Sequence, residues 1–145
     1  MDANLELMEH VYQDADMAVL TLEELLRDLK EKDNKIKPVV EDILKGYERY
    51  LEDAKTQLLA HGKDPKDNGF MSKMGAEMGV KKEVRADNSD ASIAGMLIQG
   101  ISMGSIDMEK KLGLYEESAD KEHLKLAKQF FKFQEDNIKA LKKFL

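Results

Sequence analysis

The chain has 145 residues, of which 29 are acidic, 23 are basic and none is cysteine, so its formal net charge is −6. These counts exclude disulfides, thiolate metal sites and cysteine nucleophiles, and the acidic balance argues against nucleic acid as a partner, because phosphate binding needs a concentrated basic face. The first ten residues lack the basic and apolar regions of a signal peptide, and eighteen apolar residues never run together, so we expect a cytoplasmic protein that does not enter a membrane.

The first predicted helix covers residues 3–32. Its apolar residues recur at spacings of three and four, which is the pattern of a helix that buries one broad face. They are Leu5, Met8, Tyr12, Ala15, Val19, Leu22, Leu26 and Leu29. A second helix is predicted over residues 38–61, where Pro38 suits the first turn and Gly62 suits a left-handed residue just past the end.

Residues 62–88 form a long predicted connection between the second and third helices. Within it, Phe70, Met71, Met74 and Met78 fall at helical spacing, which predicts a short amphipathic helix. Methionine packs adaptably, so two readings stay open for these side chains. They form either a lid over the bundle's own core or a surface for a protein partner.

A third helix is predicted over residues 89–117, and a fourth over residues 120–144. Gly95, Gly100 and Gly104 recur along the third helix. Each glycine costs about 1 kcal/mol of helix stability relative to alanine. We therefore expect a neighbouring helix to approach closely at these positions, or the helix to bend there.

Four amphipathic segments without strand-like alternation predict an all-α four-helix bundle in a single domain, residues 1–145. The first and last loops are short, so helices 1 and 2 should form one antiparallel pair, and helices 3 and 4 another. A connection of about 25 residues can cross the whole bundle, because extended chain covers about 3.3 Å per residue. We therefore favour one long crossover, as in ferritin-like bundles, over an up-down-up-down order.

Bundles of this type often hold two metal ions, using a Glu-x-x-His pair on each of two helices. This chain has no such pair. The residues three positions before each histidine are Leu7 before His10, Leu58 before His61 and Asp120 before His123. We interpret Asp120 as a helix N-cap rather than a ligand. A complete dimetal centre is therefore not expected, and we identify no catalytic residue and no other cofactor.

Gln134 and Asn137 stand three residues apart in the middle of the fourth helix, where a dimetal bundle would carry its glutamate and histidine. In one reading, these core amides preserve the hydrogen-bond network of a site that has lost its metal, since neutral amides are poor ligands for redox metals. In the other, Gln134 satisfies a neighbouring polar group and Asn137 is largely exposed. We favour the second reading.

An atypical carboxylate site is the alternative to a bundle without metal. The candidate ligands are Glu23, Glu48, Glu52, Asp107 and Glu109. Such a site would make the protein an iron- or manganese-binding oxidase or storage protein. Because these residues lack histidine partners, surface charges are the simpler interpretation.

The segment YERYLEDAKTQLLAHGKDPKDNGFMSKMGAEM, together with the later LGLYEESA, resembles an uncharacterised bacterial family of ferritin-like four-helix bundles. Gly62 and Pro65 match the family's Gly-x-x-Pro turn, and Tyr115 matches a tyrosine in an acidic segment that ends the third helix. The resemblance covers residues 45–120 and implies the fold, without an established activity. Residues 103–105 are Met-Gly-Ser where the family often has charged residues, so no functional residue is transferred.

The leading hypothesis is a non-enzymatic ferritin-like bundle that acts by self-association, as a homodimer, or through a protein partner, for example in stress physiology. Its basis is an intact bundle pattern without histidine-containing ligand pairs. A regulatory module that docks through the methionine-rich connection is a further hypothesis. The heptad-like stripes favour a homodimer, although a sequence does not distinguish a seam within one chain from a seam between two chains.

Overall fold

The computed structural model describes residues 2–66 and 87–145. These ranges contain four α-helices and no strand: α1 (Ala3–Asp28), α2 (Lys37–Ala60), α3 (Asp90–Tyr115) and α4 (Lys121–Lys142). The predicted all-α class is confirmed, and α1 ends at Asp28 rather than at residue 32. Outside the described residues lie the predicted short helix and its side chains, Phe70, Met71, Met74 and Met78.

The helix ends follow local side-chain chemistry. Asp2 caps α1 by accepting a hydrogen bond from the backbone N–H of Asn4, and Ser89 caps α3 in the same way with Ser92. The predicted proline lies in the first turn of α2. Gly62, just past the end of α2, has a φ of 72°, a left-handed conformation that favours glycine.

Contacts between helix ends fix the direction of each helix. Near the turn between α1 and α2, Asn34 donates a hydrogen bond of 2.9 Å to Asp90 at the start of α3. At the opposite end, Asn4 at the start of α1 donates one of 3.0 Å to Asp120 at the start of α4. Helices α1 and α4 therefore run in one direction, and α2 and α3 run in the other. The connection between α2 and α3 consequently joins opposite ends of the bundle, as one long crossover does.

Packing follows this arrangement. Most contacts of α1 are with α2, and most contacts of α3 are with α4; α2 and α3 do not touch each other within the described residues.

None of the helices in residues 2–66 and 87–145 is long and apolar enough to cross a membrane.

An aromatic group fills the core between α2 and α4. The Tyr47 ring meets Phe130 and Phe133 edge to face, with ring centroids 5.8 and 4.9 Å apart. Gly46 permits this approach, because a Cβ at that position would overlap the Phe133 ring. The absence of a side chain on α2 is therefore part of what positions α4.

Candidate functional site

The middle of the bundle holds four polar side chains, which we call the interior polar cluster: His10, Asp14, Tyr47 and Gln134. His10 and Asp14 lie four residues apart on α1 and so share one face of that helix. Tyr47 comes from α2 and Gln134 from α4, and their exposed fractions are only 1% and 0%. Each residue lies well inside its helix, so the cluster forms one layer across the core.

Gln134 connects three of the four helices. Its side-chain Nε2 donates a hydrogen bond of 2.8 Å to Oδ2 of Asp14 and another of 3.2 Å to the hydroxyl oxygen of Tyr47. A primary amide carries two N–H groups, and both are used here. This amide therefore ties α4 to α1 and to α2 at the same level.

The remaining helix, α3, contributes backbone rather than a side chain. A Cβ at Gly104 would overlap the Asp14 carboxylate and lie 2.9 Å from Nε2 of Gln134. Glycine at this position lets α3 close over the cluster. Of the three glycines that predicted a close approach, only Gly104 shows one within the described part of the chain, because a Cβ at Gly95 or Gly100 would meet nothing there within 4 Å.

Burial shifts the protonation of the cluster. It raises the pKa of Asp14 to about 6, because the carboxylate loses the water that would stabilise its charge; the hydrogen bond from Gln134 opposes this shift and the charge of Asp107 adds to it. Burial also raises the pKa of Tyr47, with a further contribution from Asp14, so the phenol stays protonated. Asp14 keeps a side-chain exposure of 19%, so its ionised form is not fully cut off from water.

His10 shifts in the opposite direction. Burial lowers the pKa of its imidazole, the nearby Lys111 lowers it further, and Asp107 and a hydrogen bond with the Gly104 backbone oppose the change. Nε2 of His10 lies 3.9 Å from Oδ2 of Asp14, which is too far for a hydrogen bond. This Nε2 atom has no hydrogen-bond partner among the described residues. His10 is therefore a neutral neighbour of the Asp14–Gln134 bond rather than a member of an ion pair.

The two amides predicted from the sequence occupy different environments. Gln134 is fully buried, with its donors satisfied and its Oε1 without a partner among the described residues. Asn137 is half-buried, and its Nδ2 is buried without a partner in the same residues. Gln134 thus satisfies neighbouring polar groups, whereas Asn137 borders the core instead of being largely exposed.

The chemistry of the interior polar cluster suits a structural network. One carboxylate, one imidazole, one phenol and one amide meet there, whereas a dimetal bundle supplies glutamates from all four helices together with two histidines. Within residues 2–66 and 87–145, no group of three or more acidic or histidine side chains is arranged to hold a metal ion. A buried network of this kind fixes the relative positions of the helices that contribute to it.

The five carboxylates of the alternative metal site are all exposed. They are Glu23 on α1, Glu48 and Glu52 on α2, and Asp107 and Glu109 on α3. A metal ion between helices needs ligands that point inward from several of them. The structure therefore does not bring these five side chains together in the core.

The outer face of α3 carries an unusual set of exposed side chains. Met103 and Leu114 are 67% and 73% exposed, and the neighbouring Ile106 is 53% exposed. Met103, Asp107, Lys110 and Leu114 follow one another at spacings of four, three and four, so they form one line along the helix, which we call the outer α3 stripe. This spacing is that of a helix-pairing seam, and here the seam faces outward.

Two glycines beside this stripe are not explained by packing among the described residues. Gly100 and Gly113 are exposed, and a Cβ on either would meet nothing within 4 Å in residues 2–66 and 87–145. Glycine in a helix costs about 1 kcal/mol relative to alanine. A second helix lying close against α3 would explain their presence, because small residues let two backbones approach.

Two members of the interior polar cluster, Asp14 and His10, are not among the residues that the sequence pattern singles out. Asp14 lies between Val11 and Ala18 at helical spacing, so an acidic residue within an apolar stripe was the available signal. His10 has Leu7 three positions before it, so it lacks the Glu-x-x-His spacing that would mark it as a metal ligand. The main partner of Asp14 comes from another helix and lies 120 residues away in sequence, so no local pattern points to it.

No protein-family model, curated protein or solved structure matches this chain. Its own geometry is therefore the basis for assigning a function.

Proposed function

We propose that this protein is a non-enzymatic, ferritin-like helical bundle that acts by self-association, and that two copies pair through the outer α3 stripe. The observation that carries the proposal is the exposed line Met103, Asp107, Lys110 and Leu114. Met103 and Leu114 at the two ends of this line, with Ile106 beside it, are large apolar side chains exposed on one helix, and grouped apolar exposure marks association surfaces more often than single exposed side chains do. The interior polar cluster, in this view, only stabilises the bundle.

The stripe is self-complementary when two α3 helices run antiparallel. If the pair is centred between residues 108 and 109, residue 103 faces residue 114 of the second copy and residue 107 faces residue 110, since both pairs of numbers sum to 217. Each Met103 then meets a Leu114, and each Asp107 meets a Lys110, twice by two-fold symmetry. Neither Asp107 nor Lys110 forms an ion pair within the described residues, so these charges are available to a second copy.

The iron or manganese alternative receives no geometric support. It needs the five predicted carboxylates to converge on one ion, and all of them are exposed. The crossover between α2 and α3 agrees with a ferritin-like assignment, which stays part of the proposal.

Disulfide cross-linking tests the proposed register directly, because the chain has no cysteine of its own. We would prepare Met103→Cys and Leu114→Cys as separate proteins, mix them and oxidise the mixture. A disulfide requires Cα atoms about 4.4–6.8 Å apart. In the proposed pair, a dimer of one Met103→Cys chain and one Leu114→Cys chain meets this condition. A dimer of two identical variants does not, because its two cysteines are offset by eleven residues, or about 16 Å of helix.

Leu145→Cys provides the control. Leu145 is 68% exposed and follows α4, so it lies outside the outer α3 stripe. Selective formation of the mixed dimer, with little cross-linking of either cysteine variant alone or of the control, would support the proposal. A wild-type chain that remains monomeric by sedimentation at millimolar concentration would rule it out, and equal cross-linking of all variants would rule out the register.

A further inference from the structure

Two histidines from different helices meet at one end of the bundle. His61 follows the last residue of α2, and His123 lies in the first turn of α4. Their Nε2 atoms are 3.0 Å apart, and their ring centroids are 5.0 Å apart. His123 is buried, with 3% exposure, whereas His61 is exposed, so the pair is reached from solvent on the His61 side.

The buried ring has a carboxylate behind it. Nδ1 of His123 lies 3.9 Å from Oδ2 of Asp120 and has no hydrogen-bond partner within the described residues. Asp120 is held in turn by Asn4, which donates to its carboxylate at 3.0 Å and accepts from its backbone N–H at 2.8 Å. Metal-binding histidines characteristically direct the nitrogen that is not a ligand toward a carboxylate. At 3.9 Å the Asp120 oxygen is too far for a hydrogen bond, but its charge favours the tautomer of His123 that carries the proton on Nδ1. With its proton on Nδ1, His123 presents the lone pair of Nε2 to His61.

The spacing between the two Nε2 atoms is close to that of two ligands on one ion. Two neutral imidazoles can share only one N–H between facing nitrogens, so the present contact is held by a single proton. Zn²⁺ binds histidine nitrogen at about 2.0–2.1 Å, and two tetrahedral ligands at this distance are about 3.3–3.4 Å apart. For an ion to replace the shared proton, the 3.0 Å separation would need to widen by about 0.3–0.4 Å and the two rings to turn so that both lone pairs point at the ion.

Charges around the pair favour a cation. The Asp120 carboxylate stands behind His123, and the adjacent Glu122 accepts a hydrogen bond of 3.1 Å from Gln57, one turn before His61. This second link between α2 and α4 holds the two backbones that carry the histidines. These contacts therefore hold the two histidines in position before any ion binds.

We infer that His61 and His123 bind a divalent transition-metal ion of the Zn²⁺ class through their Nε2 atoms. Asp120 is a positioning residue that orients His123, and water completes the coordination on the exposed side of His61. Binding would replace the shared proton and clamp the end of α2 to the start of α4. This inference is independent of self-association through α3, since it concerns different helices.

The test uses the full-length, tag-free chain and Zn²⁺ alone. Binding is measured by competition with a chromophoric chelator, and the ring nitrogens are observed by NMR in ¹⁵N-histidine-labelled protein. We expect one Zn²⁺ per chain, with large shifts of the Nε2 signals of His61 and His123. His10 is the only other histidine and serves as a control within the molecule. Its signals should not move.

Variants distinguish the histidine pair from the exposed carboxylates as the place where Zn²⁺ binds. His61→Gln changes an exposed residue and should keep the fold, which the NMR spectrum checks, yet lower the affinity for Zn²⁺ at least about 100-fold, because even the loss of a hydrogen-bonding neighbour of a ligand costs about 10- to 100-fold. Asp120→Asn should weaken binding about 10-fold. A wild-type chain that does not bind Zn²⁺, or His61→Gln binding as tightly as wild type, would overturn the inference. Loss of binding in Glu48→Gln and Glu52→Gln, with His61→Gln unaffected, would also overturn it and assign the metal to the carboxylates instead.

Discussion

Gln134 on α4 donates a hydrogen bond of 2.8 Å to Asp14 on α1, and this contact joins the first and last helices at the middle of the bundle. The same nitrogen reaches Tyr47 on α2, so one amide orients three helices. Because the surrounding side chains are buried, slipping any of these helices by one residue would leave polar atoms unpaired in the core. The cluster therefore fixes the register of α1, α2 and α4 relative to one another.

Replacing Gln134 with leucine should destabilise the protein by about 2–3 kcal/mol. The volume is nearly kept, but the Asp14 carboxylate and the Tyr47 hydroxyl lose their shared donor, and an unsatisfied buried group costs about 1–3 kcal/mol. The measurement is urea-induced unfolding followed by circular dichroism. Gln129→Leu, on the exposed face of the same helix, is the control and should change stability by less than about 0.5 kcal/mol. Equal effects of the two substitutions would show that the amide network contributes nothing specific.

Asp14 should make the protein less stable as the pH rises. Its pKa is raised from 3.8 to about 6 in the folded state, so the folded chain binds more protons than the unfolded chain between these values. Stability conferred by protonated Asp14 is therefore present below about pH 4 and lost as the pH rises through about 6. The loss amounts to as much as about 3 kcal/mol, since each tenfold change in a proton-binding constant corresponds to about 1.36 kcal/mol.

Asp14→Asn removes this titration and provides the measurement. The variant should match wild type near pH 4 and exceed it in stability by about 1–3 kcal/mol at pH 7.5, because its amide does not ionise. The lowered pKa of His10 produces the opposite slope below pH 6.5, and comparing the two proteins at each pH cancels most of that contribution. A variant that is less stable than wild type at pH 7.5 would show that the ionised carboxylate is stabilised in the core.

Gly46→Ala should destabilise the bundle by about 1–3 kcal/mol. The added methyl group would overlap the Phe133 ring, which would have to leave its edge-to-face contact with Tyr47. Gly95→Ala is the matched control, since nothing in residues 2–66 and 87–145 lies within 4 Å of its added Cβ, and helix propensity predicts stabilisation of up to about 1 kcal/mol. Thermal unfolding of both variants measures whether Gly46→Ala lowers stability while Gly95→Ala raises it. Stabilisation by Gly46→Ala would mean that the Phe133 ring can move aside without loss of stability.

Charge reversal on the outer α3 stripe should control self-association. Asp107→Lys alone places two lysines opposite each other in the proposed antiparallel pair, twice by symmetry. At up to about 1 kcal/mol for each of the two exposed pairs, the dissociation constant should rise by up to about 30-fold. The double variant Asp107→Lys with Lys110→Asp should restore dimerisation, because the charges are exchanged but remain complementary. Sedimentation of the three proteins measures this, and a double variant as weak as the single one would contradict the register.

The sequence by itself determined the helices. Spacings of three and four in the apolar residues, a proline in the first turn of α2 and a glycine with φ of 72° after its end are local features, because helix formation and capping depend on residues within one or two turns. The connection length also favoured a crossover between α2 and α3. Amides within the apolar stripe of the fourth helix were visible as well, and Gln134 proved to be buried there.

Only the tertiary structure decided which polar residues meet. Gln134 and Asp14 are 120 residues apart in sequence, and His61 and His123 are 62 residues apart, so no local spacing predicts either contact. The tertiary structure also separated the glycines, since a Cβ at Gly104 would overlap the Asp14 carboxylate while one at Gly100 would meet no atom of the described residues within 4 Å. Periodicity shows which face of a helix is apolar, but the rotation and axial level at which helices pack arise from contacts among all four. The packing of the four helices therefore decides which residues face one another across the core. It also decides which stripe of α3 remains exposed.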